Sequence, residues 1–357
     1  MAAAVRARPA LTARKPMRAV VVGCGAVGSR AIRQLASTSE IEEVAAVDRD
    51  RARADAVVQA VGSRTRSVPW SPDLLRPGDV LVLALPSEHR ELAETALERG
   101  AHVVSVTDAE PEVRALLGLG TEARERELYV VVGAGFGPGL SCILARHAAT
   151  LFDVVTEVHV AKAGTGGPAC ARQHHQALSG GSIDWRDRAW LRRSAGSGRE
   201  LCWFPEPVAA QDCYRAHMPD ALLLAPAFPT AVRVTARVAA SRRDRLSSWL
   251  PMLRPPHPEG LIGALRVELR GRRGSSQEAA VLGAIDRPAV AAGAVAAVSA
   301  AWAVSRRLGR VGAGGLALLL SDPVPFLHEL AGRGVRAAVF EGTSPSRPGA
   351  APGRPAA

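Results

Sequence analysis

Three glycines at the end of an apolar run are spaced for chemistry on a phosphate group. The run ends at Val22 and leads into Gly23, Gly25 and Gly28, and a helical pattern of apolar residues follows. The first glycine permits a tight turn, the second lets backbone approach a diphosphate, and the third lets the helix lie close to its strand. An ordinary tight turn is the alternative. We expect a dinucleotide-binding turn formed by Gly23, Cys24, Gly25, Ala26, Val27 and Gly28.

An acidic residue stands where the ribose of such a dinucleotide is expected. A second apolar run, 44–47, ends at Asp48, about 20 residues beyond the last glycine. A carboxylate there accepts hydrogen bonds from the ribose hydroxyls of NAD and repels the 2′-phosphate of NADP. Arg49 and Arg51 follow at once and offer that phosphate an alternative site. We expect NAD or NADP as cofactor, with NAD favoured by Asp48 and with Arg49 among its contacts.

The loops after the predicted strands are the next candidates for ligand contacts, because α/β sheets bind ligands at the carboxyl ends of their strands. Leu85, Pro86 and Thr107 stand at two of these loop starts. We expect them to contact the cofactor, although Pro86 and Thr107 also fit ordinary turn and capping positions. His89, in the helix after the first of these loops, is expected to pack or cap near the cofactor strand.

A nicotinamide reaction also needs a side chain that moves a proton. Lys162 is the first candidate, because it ends the predicted strand 154–161 before a glycine-rich loop, where burial lowers the pKa of a lysine. A lysine at a strand end by chance is the alternative. His174 and His175 are further acid/base candidates. Neighbouring histidines on a helix diverge by about 100°, so we expect no metal site there.

Two arginines are candidates for binding a substrate carboxylate. Arg172 and Arg215 stand in the second half of the chain, and a guanidinium group binds a carboxylate through two parallel hydrogen bonds. Most arginines of this chain are expected at the surface. We expect a small-molecule substrate that carries a carboxylate.

The pattern of apolar residues predicts two kinds of sheet. Up to about residue 135, fully apolar strands alternate with helices, which indicates a parallel sheet covered on both faces. Beyond Gly139 the strands alternate instead: Val154, Val158 and Val160 share one face, and residues 163–229 between the strands are rich in loops and helix. The predicted fold class is α/β, a doubly wound Rossmann sheet followed by an α+β substrate domain with a mixed or antiparallel sheet.

These patterns divide the chain of 357 residues into five predicted segments. They are a disordered extension at 1–16, a dinucleotide-binding domain at 17–140, a substrate and dimerisation domain at 141–287, C-terminal helices packing back on the first domain at 288–340, and a disordered tail at 341–357.

Composition argues against several other classes of protein. The net charge is +11, which invites a nucleic-acid function, but aromatic residues make up only 4% and the basic residues are interleaved with acids. The five cysteines have no Cys-x-x-Cys spacing, which favours reduced thiols in a cytoplasmic protein over disulfides or structural zinc. The apolar run 288–304 is too short to span a membrane. We expect no nucleic-acid partner and no membrane.

With these elements in place, the chain resembles the saccharopine dehydrogenase-like family of NAD(P)-dependent oxidoreductases. The matching stretches are 20–28, 44–48, 85–104 and 135–141, the last resembling the family's glycine-proline segment between its two domains. The resemblance is convincing over roughly the first 145 residues and architectural beyond them. It implies hydride transfer between a nicotinamide and an imine or secondary amine of an amino-acid-like substrate, and we expect a homodimer.

Two other functions stay open. Glucose-fructose oxidoreductase-like enzymes share the layout around Leu85, but they place a catalytic lysine where this chain has Thr107-Asp108-Ala109. A non-catalytic NAD(P)-binding sensor or partner protein would keep the glycine turn and lack a proton-moving group.

Overall fold

Two β-sheets organise the chain. The computed structural model describes residues 17–252, 256–257 and 260–340; the segments 1–16 and 341–357, predicted to be disordered, lie outside the described residues. The strands are β1 (Met17–Val22), β2 (Ile41–Val47), β3 (Thr65–Ser67), β4 (Val80–Leu83), β5 (His102–Ser105), β6 (Tyr129–Val132), β7 (Val154–Ala163), β8 (Gly181–Arg186), β9 (Ala189–Ser194), β10 (Glu200–Trp203), β11 (Ala210–Arg215), β12 (Arg233–Ala239), β13 (Gly263–Arg273), β14 (Ser276–Asp286), β15 (Gly312–Gly314) and β16 (Arg336–Phe340).

The α-helices connect and cover these strands. They are α1 (Ala26–Ala36), α2 (Arg51–Val61), α3 (His89–Glu98), α4 (Glu110–Leu117), α5 (Gly120–Glu125), α6 (Leu140–Ala148), α7 (Pro168–Gln176), α8 (Asp220–Leu224), α9 (Arg242–Ser247), α10 (Pro288–Val304), α11 (Leu316–Leu319) and α12 (Val324–Gly332).

The first sheet is parallel throughout, in the order β15-β6-β5-β4-β1-β2-β3. Every residue of β4, β5 and β6 is buried, as the continuous apolar sequences of β4 and β6 require when both faces of a sheet are covered, and β5 also buries the polar residues His102 and Ser105. From β1 the chain adds β2 and β3 on one side of the sheet, and then returns to add β4, β5 and β6 on the other side. This reversal places the loops after β1 and β4 side by side, and it confirms the predicted doubly wound sheet.

Two glycines of the predicted turn are fixed by packing within the protein. Gly23 has a φ of +99°, and a Cβ at this position would overlap the carbonyl oxygen of Ala84 in the neighbouring loop. A Cβ at Gly28 would overlap the carbonyl oxygen of Gly23. These two residues therefore let β1, β4 and α1 approach one another, which is the geometry that brings the start of α1 to the edge of the sheet.

The second sheet is mixed, in the order β10-β11-β12-β7-β13-β14-β16, with the hairpin β8–β9 attached to β12. Strands β7 and β12 run parallel, and the other neighbours run antiparallel. The prediction of a mixed or antiparallel sheet is confirmed. The range 163–229 was expected to hold loops and helix, but it contributes the four strands β8 to β11.

A bulge in β7 changes which valines face the core. Glu157 pairs with Arg270 and Val155 with Gly271, so Thr156 has no opposite residue on β13. Val155 therefore joins Val158 on the buried face, while Val154 is only half-buried. The simple alternation that grouped Val154 with Val158 was wrong here, because one extra residue shifts the side-chain period by one.

The long alanine-rich helix α10 lies against the first sheet. It is buried along nearly all of its length and contacts α1, β4 and β5. A Cβ on Gly293 would overlap the side chain of Arg30, so a glycine allows α10 to lie close to α1. The range 288–340, predicted as helices, also adds β15 to the first sheet and β16 to the second. No helix within the described residues is long and apolar enough to cross a membrane.

Candidate active site

A cavity of about 430 Å³ opens at the carboxyl edge of the first sheet, where it meets β7 and α7. Its volume lies within the range of small-molecule sites. The wall is formed by Gly25, Ala26, Val27, Arg53, Ala84, Leu85, Pro86, Val106, Thr107, Asp108, Gly135, Phe136, Gly137, Pro138, Lys162, Gly164, Gly166, Gly167, Pro168, Ala169, Cys170, Arg172, Gln173, Pro288 and Ala292. We call the part formed by Gly25–Val27, Arg53 and Ala84–Pro86 the glycine-turn side, and the part formed by Asp108, Lys162 and Gly164–Gln173 the Lys162 side.

The glycine turn presents free backbone at the start of α1. Gly25 is the N-cap of this helix and has no side chain that could accept a hydrogen bond from the first amide groups of the helix. These amide groups are therefore available to a ligand. An added Cβ at Gly25 would meet no protein atom within 4 Å. The protein itself therefore does not require a glycine here, whereas a diphosphate packed against the turn does. This open cradle fits a dinucleotide.

Asp48 fixes the turn from the end of β2. Its Oδ2 accepts a hydrogen bond of 2.7 Å from the amide of Cys24, and its Oδ1 accepts one of 2.9 Å from the amide of Asp50. A carboxylate offers about four acceptor positions, so two stay available for ribose hydroxyls. The Cys24 thiol is buried, and burial next to Asp48 raises its pKa to about 12, which makes it a packing group.

The arginines near Asp48 are placed differently from the expectation. Arg49 is exposed and is not part of the cavity wall, and Arg51 approaches Asp55 at 4.0 Å on the outer side of α2. Arg53 lines the cavity and lies 3.7 Å from Asp48. The sequence pattern pointed to the arginines nearest the strand end, but the first turn of α2 carries Arg53 back toward the cavity instead.

The loops after β4 and β5 contribute as expected. Leu85, Pro86 and Thr107 line the cavity. His89 is buried behind them, with its ring nitrogens 2.9 Å from the carbonyl oxygen of Leu85 and 2.9 Å from the hydroxyl of Ser105. Burial lowers the pKa of His89, so its neutral ring ties the two loops together rather than entering the cavity.

Lys162 enters the cavity from the end of β7. Only 7% of its side chain is exposed, and its Nζ donates to Asp108 Oδ2 at 3.1 Å and to the carbonyl oxygen of Gly137 at 2.9 Å. An ammonium group has three N–H bonds. Hydrogen bonds within the described residues account for two of them. The third is the one that a ligand in the cavity can accept.

The charge on Lys162 contradicts the expectation for its pKa. Burial does favour the neutral amine, but the charges of Asp108 and Asp220, together with the hydrogen bond to Asp108, outweigh it and raise the pKa of Lys162. The lysine is therefore a stable cation at neutral pH, able to donate a proton and not poised to accept one. The sequence could not show this, because Asp108 is 54 residues away in the chain.

The two neighbouring histidines occupy different environments. His174 is buried, and burial together with the charge of Lys162 lowers its pKa to about 3. Its ring nitrogens have no hydrogen-bond partner within the part of the chain that the structure describes. His175 turns away from the cavity, and its Nε2 lies 3.0 Å from the carbonyl oxygen of Ser247 and 3.2 Å from that of Leu250. The structure does not bring His175 to the site.

The two candidate arginines also lie in different places, one at the cavity and one outside it. Arg172 is exposed on the first turns of α7 and lines the cavity. Arg215 lies on β11 and donates from Nε to Asp184 Oδ2 at 2.9 Å, outside the cavity wall. Arg172 therefore lies at the cavity and Arg215 does not, and the role of Arg172 as a ligand contact stays a prediction.

Sequence reasoning missed two residues of the Lys162 side, Cys170 and Gln173, which line the wall beside Arg172. It placed Asp108 at a candidate loop start but did not predict that this residue holds Lys162. The position of Asp108 at a loop start was the available signal for it. No local pattern indicated Cys170 or Gln173, because the first turns of α7 face the cavity only through the packing of the second sheet.

Comparison with known proteins agrees with this architecture. Residues 19–133 match the family model described as "Saccharopine dehydrogenase NADP binding domain". Among solved structures, the apo saccharopine dehydrogenase (L-Glu forming) from Saccharomyces cerevisiae matches with a TM-score of 0.65 and 15% identity, over 91% of this chain and 100% of that one. At this identity the match shows the fold.

Two other matches are weaker. An amine dehydrogenase from Mycobacterium smegmatis has a TM-score of 0.48 and 12% identity, over 87% of this chain and 98% of that one. GenD2 from gentamicin A biosynthesis, solved with NAD, has a TM-score of 0.46 and 15% identity, over 91% of this chain and 97% of that one. The matched domain supports an NAD(P)-dependent oxidoreductase. Residues 19–133 are thus similar to the NADP binding domain of saccharopine dehydrogenases.

Proposed function

We propose that this NAD(P)-dependent oxidoreductase transfers a hydride between the nicotinamide and the carbon of an imine or secondary amine in a small amino-acid-like substrate. One observation carries the proposal: a single cavity joins the open glycine turn to a buried, charged lysine. The first feature suits the cofactor, and the second suits the proton that must accompany the hydride.

On the glycine-turn side, the amides at the start of α1 are suited to the diphosphate and Asp48 to the ribose. When bound, the nicotinamide supplies or accepts the hydride. NAD is the proposed preference, because the carboxylate of Asp48 repels a 2′-phosphate. Arg53, 3.7 Å from Asp48 at the cavity wall, is the group that would moderate this preference.

On the Lys162 side, Lys162 is proposed as the proton donor. In the direction of reduction its ammonium gives a proton to the substrate nitrogen while the carbon gains the hydride. Oxidation requires the neutral amine of Lys162 as the base, and is therefore expected only at alkaline pH. Asp108 and the Gly137 carbonyl orient Nζ toward the cavity. His174 is too weak a base for this task, since its pKa is about 3.

The carboxylate of the substrate is proposed to bind Arg172. The guanidinium lies on the same wall as Lys162, in the first turns of α7, whose N-terminal amides also favour an anion. Gln173 beside it adds an amide that donates and accepts hydrogen bonds. The second cationic side chain gives the substrate a fixed orientation relative to Lys162.

A cytoplasmic location and a homodimer stay predictions for this protein. Light scattering on the purified chain and fractionation of the source cells test them. The alternative functions are also distinguishable: a non-catalytic sensor binds NADH without turnover, and a sugar dehydrogenase of the glucose-fructose type turns over polyols. Asp108 stands where the glucose-fructose oxidoreductase-like enzymes have their catalytic lysine, which argues against a sugar dehydrogenase of that kind.

The test is a two-part measurement on the purified protein. Fluorescence titration with NADH and NADPH gives both dissociation constants. Absorbance at the nicotinamide band then follows reduction of 2-oxo acids supplied together with amines, and oxidation of secondary-amine amino acids, with polyols as the comparison set. Turnover of the imine-forming pairs supports the proposal. Binding without turnover favours the sensor, and binding of neither nucleotide contradicts the assignment.

A further inference from the structure

A second carboxyl group is held by the same short segment as Lys162 and takes no part in the proposed chemistry. In the segment 137–141, the Gly137 carbonyl accepts a hydrogen bond from Lys162 and the Ser141 hydroxyl donates one to Asp220. Asp220, the first residue of α8, is completely buried and is not part of the cavity wall. Its Oδ1 accepts a hydrogen bond of 3.2 Å from the hydroxyl of Ser141, which is also completely buried. Its Oδ2 has no hydrogen-bond partner among the described residues. A buried carboxyl with one weak partner calls for an explanation.

Among the residues that the structure describes, Lys162 is the cation that acts on Asp220. The charged groups that act on Asp220 are Lys162 on β7 and Asp108 after β5. From α6 it meets the hydroxyl of Ser141 and the thiol of Cys142, and burial raises the pKa of that thiol to about 12, so it stays uncharged. The neighbouring helix α11 contributes only leucine and alanine. Lys162 thus shares its single positive charge between two carboxyl groups.

We propose that Asp220 is a positioning residue that acts through Lys162, its carboxylate holding the ammonium in the charged form from the protein interior while Asp108 does so at the cavity wall. When both carboxyl groups are ionised the cluster has a net charge of −1, and when Asp220 is protonated the cluster is neutral. Burial raises the pKa of Asp220 to about 6, with Lys162 acting in the opposite direction, so the two forms exchange near neutral pH. Lys162 is therefore held more firmly as a cation above this pH than below it.

The catalytic meaning of this coupling rests on the proposed function of Lys162, but the coupling itself does not. The chain has two lysines, Lys15 and Lys162. Protein labelled with ¹³C and ¹⁵N in lysine alone thus gives two side-chain signals, and Lys162→Arg identifies the one of interest. The protonation of Lys162 is then followed by NMR with no substrate and no turnover.

In the wild-type protein, the Lys162 signal is expected to shift in a step near pH 6 as Asp220 ionises, before its own titration at alkaline pH. Asp220→Asn should remove that step and weaken the affinity of Lys162 for its proton about tenfold, as expected for charges several ångströms apart at an effective dielectric constant of about 20. Ser141→Ala removes the hydrogen bond to the ionised carboxylate and should move the step to higher pH. This second variant keeps the test available if Asp220→Asn does not fold.

Asp153→Asn is the matched control, because it removes the same charge just before β7, roughly 30 Å from Lys162 at 3.3 Å per residue. It should leave both titrations unchanged. A Lys162 signal without a step between pH 5 and 7, or a step that Ser141→Ala and Asp220→Asn both leave in place, overturns the proposal. If the step behaves as predicted but Lys162→Ala keeps the wild-type kcat, the coupling stands and the proposed catalytic function of Lys162 is wrong.

Discussion

The glycine-turn side of the cavity comes from α1, α2 and the loop after β4, which all belong to the first sheet and its helices, whereas the Lys162 side combines the loop after β5 of the first sheet with β7 of the second sheet and with α7. The first side therefore lies within one unit of the fold, where Asp48 also bonds the amide of Cys24. The second exists only when both sheets have packed together. Binding of the nucleotide and movement of the proton should therefore fail separately when each side is altered.

The largest effect is expected on the Lys162 side. Lys162→Ala removes the proposed proton donor and should lower kcat about 10²- to 10⁴-fold, with the NADH dissociation constant unchanged. Lys162→Arg keeps the charge and the pair with Asp108 but transfers a proton poorly, so it should remain folded and nearly inactive. Initial rates and NADH fluorescence measure the two quantities, and a Lys162→Ala enzyme with wild-type kcat excludes this lysine from the reaction.

On the glycine-turn side, two glycines should respond in opposite ways. Gly25→Ser places a good N-cap residue where no protein atom lies within 4 Å, so thermal stability should hold or rise slightly while NADH binds at least tenfold more weakly. Gly28→Ala puts a methyl group against the Gly23 carbonyl and should cost about 1–3 kcal/mol of stability. Melting curves with and without NADH compare them. Unchanged affinity in folded Gly25→Ser contradicts the assignment of the turn.

The choice between NAD and NADP sharpens the same comparison. Asp48→Asn removes the negative charge but keeps an oxygen acceptor for the turn, so the ratio of NADPH to NADH affinity should rise about tenfold while kcat changes little. Arg49→Ala is the control and should change neither affinity, because Arg49 is exposed and outside the cavity wall. A wild-type protein that already prefers NADPH strongly would reverse the proposed preference.

The smallest effect is expected for the substrate carboxylate. Arg172→Ala should raise KM a few-fold to about tenfold with kcat retained, since an exposed guanidinium contributes roughly 1 kcal/mol. Arg215→Ala should leave KM unchanged and instead reduce stability by about 1–3 kcal/mol, because Asp184 loses its buried partner. Steady-state kinetics and thermal unfolding separate these outcomes. Equal changes in KM for both variants would contradict the placement of the substrate.

Sequence patterns predicted most of the first sheet and the cofactor turn because both depend on neighbouring residues. Fully apolar strands, glycines at fixed spacing and an acid after β2 are local features, and each has one common structural solution. The second sheet was less predictable. Strands β8 to β11 are only four to six residues long, and β9 is exposed along nearly its whole length, so no apolar periodicity marked them. The bulge at Thr156 is likewise invisible until β13 lies beside β7.

The sequence alone determined that a glycine turn would meet the end of a parallel sheet and that Asp48 would stand beside it. Only the tertiary structure decided which ionisable groups share the cavity: Lys162 and Arg172 lie in its wall, while His175 and Arg215 are bound elsewhere. It also reversed the expected pKa of Lys162. The physical reason is that the pKa of a buried group depends on the charges around it, and here these charges belong to Asp108 and Asp220, which are distant in the chain.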